Sequence, residues 1–192
     1  VLRGPRLRRH AQEERGRVQK GLTQVPRDVG ALLYLLTRAS GAKRILELGT
    51  SGGYSTLWLA QAAQATKGQV TTIERDAAKV NMARRNLGLA GVAGSVTIEM
   101  GDAERALDRV QGPFDFIFFD ADSQDQIDYL DALLPSVTPG GMLLSNNHLT
   151  SPIDLADYTA YVRSAPDLES LLLPLGAGIE VTWKARPRRA SR

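Results

Sequence analysis

Three groups of residues in this 192-residue chain have the types and spacing to do chemistry. The first is the run Glu47-Leu48-Gly49-Thr50-Ser51-Gly52-Gly53-Tyr54-Ser55, a glycine-rich stretch with a carboxylate at its entrance and a hydroxyl at its exit. Glycines let a backbone turn sharply and come close to a ligand. Twenty-one residues after Gly53, the segment Ile73-Glu74-Arg75 offers a second carboxylate, placed to accept hydrogen bonds from a ribose diol. The loop does not read GxGxxG and has no P-loop lysine, so neither a dinucleotide nor a nucleoside triphosphate is expected. The pattern ExGxxxGxS suits a cofactor with a ribose and a zwitterionic tail but no phosphate, which describes S-adenosylmethionine. A plain tight turn and a solvated strand end would use the same residue types, but the two features in this order favour the ligand.

The second group is Gly101-Asp102-Ala103-Glu104, where a turn can present a backbone N–H or an acceptor to an adenine edge. Asp102 is equally suited to capping a helix. The third group is Asp120, Asp122 and His148, titratable residues near the ends of strand-like segments. Methyl transfer from a sulfonium is a direct displacement, so in-line positioning is the main task. An alcohol or phenol acceptor must also lose its proton, and Asp120, Asp122 and His148 are the candidate bases. A histidine has an ordinary pKa near ~6.5, which suits that work. Asp122 and Ser123 also read as a helix start.

These groups sit in an alternation of strand-like and helix-like segments. Strands are expected at 44–48, 69–73, 95–100, 114–119 and 141–145, with helices at 54–65, 77–89, 103–110 and 126–134 between them. A further helix follows Pro26 and stops at Gly41, and another spans 153–163. Continuously apolar strands such as Phe114–Phe119 suit a parallel sheet covered on both faces. The alternation implies right-handed βαβ units and a doubly wound α/β sheet. Leu168–Leu173 and Glu180–Lys184 flank Gly176 and Gly178 as a hairpin, which makes the far side of the sheet antiparallel.

With 43% hydrophobic and 23% charged residues, the composition fits one soluble domain, and the absence of cysteine excludes disulfides, zinc-thiolate sites and a thiol nucleophile. No apolar run approaches the ~18–20 residues of a membrane span and no signal-peptide core follows the basic start, so a cytoplasmic protein without membrane partners is expected. The pI near 9.4 points at first to an acidic partner. The charge is unevenly spread, however. Residues 1–20 carry seven Arg and Lys against two Glu, and 184–192 carry five basic residues and no acidic ones. The stretch 21–183 holds 12 basic and 19 acidic residues. The chain therefore divides into a basic arm or helix at 1–20, a domain at 21–184 and a basic tail at 185–192.

Arg44–Thr56 (RILELGTSGGYST), Thr72–Asp76 (TIERD), Gly101–Ala103, Phe114–Asp122 (FDFIFFDAD) and Pro139–Leu149 (PGGMLLSNNHL) resemble the class I S-adenosylmethionine-dependent methyltransferases. More narrowly, they resemble the catechol and caffeoyl-CoA O-methyltransferase group with its bacterial relatives. The resemblance covers roughly residues 25–184. It implies a Rossmann-like, mostly parallel seven-stranded sheet with an antiparallel last strand. It implies that Glu74 binds the cofactor ribose, that Gly49, Ser51 and Gly53 line the methionine part, and that Ser55 holds its carboxylate; Glu47 is a further carboxylate expected at the cationic cofactor. Asp102 and Ala103 would border the adenine. Asp120 would face the transferred methyl group and, with Asn146 and Asn147, bind a divalent Mg²⁺ or Ca²⁺. Two departures bear on that metal. Ser123 stands where metal-dependent relatives carry a base-forming lysine, and Asn146 stands where they carry a carboxylate. A hard cation depends on carboxylate oxygens, so the chemistry is expected to run with the metal weakened or dispensed with.

The resulting expectation is O-methylation of a small hydroxylated, phenolic-type acceptor, with Asp120 and His148 as catalytic residues. A tRNA or other nucleic-acid methyltransferase is the alternative that the basic ends suggest, and a non-catalytic cofactor-binding homologue is another. Neither basic end interleaves aromatic residues, so nucleic acid is not favoured. Trp58 and Trp183 read as packing residues, and Tyr129 as a residue able to approach the acceptor. A homodimer is possible through Leu168–Leu173, although this segment reads more readily as an interior strand.

Overall fold

The computed structural model describes residues 24–186, so the basic arm at 1–20 and most of the basic tail lie outside the described residues. A seven-stranded sheet forms the centre: β1 (Arg44–Leu48), β2 (Gln69–Glu74), β3 (Val96–Met100), β4 (Phe114–Phe119), β5 (Val137–Ser145), β6 (Leu168–Leu173) and β7 (Ile179–Lys184). The helices are α1 (Arg27–Ala39), α2 (Tyr54–Thr66), α3 (Ala77–Ala90), α4 (Ala103–Leu107), α5 (Gln126–Leu133) and α6 (Ala156–Ser164). The strand order is β3-β2-β1-β4-β5-β7-β6. β1 to β5 run parallel, and β7 lies antiparallel to both β5 and β6.

β4 shows why the sheet is covered twice. Phe116 and Phe118 enter one core with Val29, Leu33, Ile45 and Leu59, while Ile117 and Phe119 enter the other with Leu46, Leu48, Leu130 and Tyr158. Side chains alternate across a strand, so an unbroken apolar run can only be buried on both faces. On the first face α1 packs against α2 at Gly30, where a Cβ would stand 2.2 Å from Trp58 Nε1. Trp58 is thereby a packing residue, set edge-on to Tyr54. Trp183 is half-buried and donates from Nε1 to the Gly140 carbonyl at 3.2 Å.

Several boundaries differ from the sequence expectation. α4 stops at Leu107, because Arg109 N and Val110 N both fold back onto the Ala106 carbonyl before the chain turns into β4. β5 begins at Val137 rather than at 141, carrying Pro139 and Gly140 through a register shift opposite Phe114 and Phe116. α6 begins at Ala156, after a looped segment in which Ile153 is 89% exposed. Leu168–Leu173 is not interior: among the described residues β6 pairs only with β7, so it is the sheet edge, and Leu171 is 63% exposed.

Candidate active site

Ligands of open α/β sheets sit beyond the carboxyl ends of the strands, where the strand order reverses. Here that position lies above β2, β1 and β4, which are neighbours in the sheet. A cavity of about 470 Å³ opens there. It is lined by Gly49 and Ser51 after β1, Ile73, Glu74 and Arg75 at the end of β2, Gly101, Asp102 and Ala103 after β3, Asp120 to Ser123 after β4, and Asn146, Asn147 and Thr150 after β5. Gln24, Val25, Pro26, Lys79, Tyr129 and Ala177 complete the wall.

Glu74, only 8% exposed, is held by two backbone donors: Ser51 N to Oε2 at 2.8 Å and Asp76 N to Oε1 at 2.9 Å. This clamp ties the glycine loop to the end of β2. Gly49 has φ of +96°, and a Cβ on it would meet the Asp120 carbonyl oxygen at 2.5 Å. Only glycine permits both the left-handed turn and that close approach. Asp102 caps α4 by accepting from Glu104 N at 3.2 Å, so the capping and the cavity-facing readings hold together.

Glu47 does not line the cavity. Its Oε2 accepts from Thr56 at 2.5 Å and from Thr72 at 2.7 Å, and Thr50 Oγ1 lies 2.6 Å from Thr72 Oγ1. Since Thr72 spends its proton on Glu47, Thr50 must donate to Thr72. The chain of hydroxyls fastens the glycine loop from below. Burial pushes the Glu47 carboxyl up to about 7 against the hydroxyls of Ser55, Thr56 and Thr72 that favour its ionised form. Gly53 and Ser55 also lie off the cavity lining: Gly53 precedes α2 at φ +87°, and Ser55 is buried beside Glu47.

On the acceptor side, Asp120 Oδ1 accepts from Asn146 Nδ2 at 2.7 Å, and its Oδ2 bonds no other described residue. Burial pushes Asp120 up to about 7, opposed by that amide and assisted by the Glu47 charge. Asn147 adopts φ of +74°, a left-handed conformation that asparagine tolerates better than most residues. His148 does not join this group. It is buried and absent from the cavity wall, with Nε2 2.6 Å from Ser145 Oγ and Nδ1 3.0 Å from Thr159 Oγ1. Burial pushes it down to about 4, with Arg163 adding to that and Glu180 opposing it. Both nitrogens are occupied, so the structure does not bring His148 to the acceptor as a base.

Asp122, instead of capping the short 3₁₀ turn at Ser123–Asp125, pairs with Arg75 at 3.0 Å. Tyr129 does reach the cavity, and its hydroxyl bonds Asp125 Oδ2 at 3.4 Å. Burial and the carboxylates of Asp125, Asp102 and Asp122 push that phenol up to about 12. Sequence reading assigns no role to Lys79, Thr150 and Ala177, which carry no pattern of their own, and none to Arg75 although it lies within the TIERD segment.

The wall fits a polar, cationic ligand. Glu74, Asp102, Asp120 and Asp122 outnumber Arg75 and Lys79, and Ser51 Oγ and Asn146 Oδ1 are buried polar atoms with no partner. Buried polar atoms are rarely left so without a ligand or water to bond them. A hard divalent cation fits less well. The expected ligands Asp120, Asn146 and Asn147 supply one carboxylate, and the Asn146 amide turns its NH₂ toward that carboxylate. Among the described residues no group of three or more His, Cys, Asp or Glu is assembled to hold a metal. A hydrogen-bond donor thus supports Asp120 where a second carboxylate would have called for a cation.

This strand order and cavity define a Rossmann-like methyltransferase fold. The O-methyltransferase family model matches residues 6–182, and the chain belongs to that family. It is 39% identical over 119 residues to a catechol O-methyltransferase of Mycobacterium tuberculosis, spanning 62% of this chain and 54% of that protein. A catechol O-methyltransferase of Niastella koreensis is 38% identical over 122 residues, spanning 62% and 55%. The chain thus spans about half the length of the curated relatives it matches. Among solved structures, the O-methyltransferase TomG from Streptomyces achromogenes in complex with SAM superposes with a TM-score of 0.82 at 29% identity, covering 96% of this chain and 92% of that one. An O-methyltransferase from Bacillus cereus in complex with SAH gives the same TM-score at 26% identity, with the same coverage. No helix among the described residues is long and apolar enough to cross a membrane.

Proposed function

We propose that this chain transfers the methyl group of S-adenosylmethionine to the hydroxyl of a small phenolic-type acceptor, and that it does so without a divalent cation. The observation that carries the reading is a single cavity with the backbone-clamped Glu74 at one end, the Asp120–Asn146 pair at the other and the Gly49–Ser51 turn between them. Glu74 would hold the ribose hydroxyls, Asp102 and Ala103 would border the adenine, and Gly49 and Ser51 would line the methionine part. When bound, S-adenosylmethionine supplies an electrophilic methyl group that needs no further activation. Glu47, Gly53 and Ser55 act from beneath by fixing the loop rather than by touching the ligand.

On the acceptor side, Asp120 Oδ2 is the atom free to take the proton of the acceptor hydroxyl, while Asn146 fixes the carboxylate through Oδ1. Ser123 has no basic nitrogen to share that task. The cation-free part of the proposal rests on the same hydrogen bond. The test is calorimetry with S-adenosylmethionine and S-adenosylhomocysteine, followed by methyl-transfer assays on simple phenols and catechols with and without EDTA. Binding of both cofactor forms and EDTA-resistant turnover are expected. Absence of binding would sink the cofactor reading, and loss of turnover in EDTA would sink the cation-free part. The basic arm and tail that suggested nucleic acid fall mostly outside the described residues, and the cavity they would have to serve is acidic.

A further inference from the structure

We infer that His148 is a positioning residue for the acceptor side of the cavity, a neutral imidazole protonated on Nε2 alone that holds the Asn146–Asn147 turn in place. What the turn serves rests on the methyl-transfer reading above; the Nε2 proton rests on hydrogen-bond direction, and the neutral charge on the burial of the ring.

The direction starts at the Ala121 carbonyl, which can only accept. Gln126 Nε2 donates to it at 3.4 Å, which fixes the amide so that Oε1 faces Ser145. The single hydroxyl proton of Ser145 goes to that Oε1 at 2.5 Å. Ser145 Oγ can then only accept from His148 Nε2, 2.6 Å away, so Nε2 carries the proton. Burial keeps the ring neutral, which leaves a lone pair on Nδ1 to which the Thr159 hydroxyl, 3.0 Å away, donates. The edge-on contact with Tyr158, whose ring centroid lies 5.4 Å away, fixes the plane of the imidazole. The ring thereby joins α5, β5 and α6.

The backbone around the ring is equally tied. Asn146 N bonds the Phe119 carbonyl at 3.0 Å, His148 N the Gly178 carbonyl at 3.1 Å, and Leu149 N the Ala177 carbonyl at 2.8 Å. Between these anchors sits Asn147 at φ +74°, a left-handed conformation that asparagine adopts more readily than most residues. Both asparagines line the cavity, and Asn146 orients Asp120. His148 itself reaches neither the cavity nor, with Nε2 protonated and Nδ1 occupied, any proton of an acceptor. Its influence passes through the turn.

The test uses the full chain labelled with ¹⁵N-histidine. The chain has two histidines, His10 and His148, and a His10→Gln variant assigns the signals. At neutral pH the His148 ring is expected to show a protonated Nε2 and a bare Nδ1; an Nδ1–H or doubly protonated ring would overturn the inference. In methyl transfer from S-adenosylmethionine to catechol as the probe acceptor, His148→Ala is expected to raise the acceptor KM about tenfold through misplacement of the turn. The cofactor Kd should stay within about twofold, because the clamp on the cofactor side is untouched. His148→Gln, which keeps an N–H toward Ser145, should restore most of the acceptor KM. A fall in kcat of about 10²–10⁴-fold at unchanged KM would instead mark a base and overturn the inference. Should the alanine variant fail to fold, Thr159→Val removes only the partner of Nδ1 and must shift that nitrogen's resonance; an unmoved resonance overturns the inference. Should the wild type neither bind S-adenosylmethionine nor methylate, the methyl-transfer reading fails while the ¹⁵N spectrum still decides the tautomer.

Discussion

The two ends of the cavity are held in different ways. At the β1–β2 end, Glu74 is clamped by the backbone N–H groups of Ser51 and Asp76, donors that every residue but proline supplies. At the β4–β5 end, Asp120 is held by the side-chain amide of Asn146, on a turn secured in part by the ring of His148. The first arrangement tolerates substitution around it so long as the loop keeps its shape. The second depends on the identity of each side chain, and a single substitution there changes the chemistry on offer. A cofactor common to many reactions suits the first kind of support, and an acceptor particular to one reaction suits the second.

The sharpest way to break this comparison is Glu74→Ala. It removes the proposed ribose contact and the anchor of Ser51 N at once, and hydrogen bonds to charged groups are worth about 1.5–3 kcal/mol each. S-adenosylmethionine affinity should fall at least about tenfold and toward a hundredfold by calorimetry; an unchanged Kd would dissolve the distinction between the two ends. Asp120→Asn should come next, lowering kcat by about 10²-fold or more in a methyl-transfer assay while the cofactor Kd moves little. A large change in cofactor affinity would show that the two ends are not separate.

Asn146→Asp sharpens the comparison rather than breaking it. Two neighbouring carboxylates repel unless a cation lies between them, so turnover should become stimulated by Mg²⁺ and sensitive to EDTA. Equal rates with and without EDTA in this variant would remove the hydrogen bond as the reason for a cation-free site.

The smallest effect concerns pH. Burial raises Glu47 and Asp120 from 4.5 and 3.8 to about 7, so between those values the folded chain keeps protons that the unfolded chain has released. Stability from these two groups therefore falls as pH rises through that window. His148, lowered from 6.5 to about 4, works in the opposite sense over most of the same range and offsets part of the fall. Glu47→Gln keeps an oxygen for Thr56 and Thr72 but removes the titration. Its melting temperature should drop less between pH 5 and 8 than that of the wild type, by a few degrees. An identical slope in a thermal-shift series would show that Glu47 is not the group responsible.

What sequence reading recovers follows the range of the interactions involved. The glycine loop and Glu74 lie within one βαβ unit, and residue type and spacing are enough to find them. The continuous apolar run of β4 likewise implies a sheet buried on both faces. Glu47 lies beneath the loop and off the cavity wall, and the sequence held a signal for that: alternation along β1 puts it on the same face as Ile45, under α2, while Leu46 and Leu48 face the other core. His148 carried no such signal. Its burial depends on Thr159 from α6, on Ser145 held by Gln126 from α5, and on Tyr158 set edge-on to it, all fixed by tertiary packing. The edge position of β6 was hidden for a similar reason, since LESLLL reads as core whether or not a neighbour covers it.

The ion pair between Arg75 and Asp122 joins the loop after β2 to the loop after β4, passing over the strand between them, with both side chains more than 60% exposed. Solvated pairs of this kind are worth about 0–1 kcal/mol and are screened by ordinary salt. Two loops of the cavity wall are therefore joined by a clasp that thermal motion releases unaided. Its grip will follow ionic strength, holding longer in dilute buffer than in the salt of a cell.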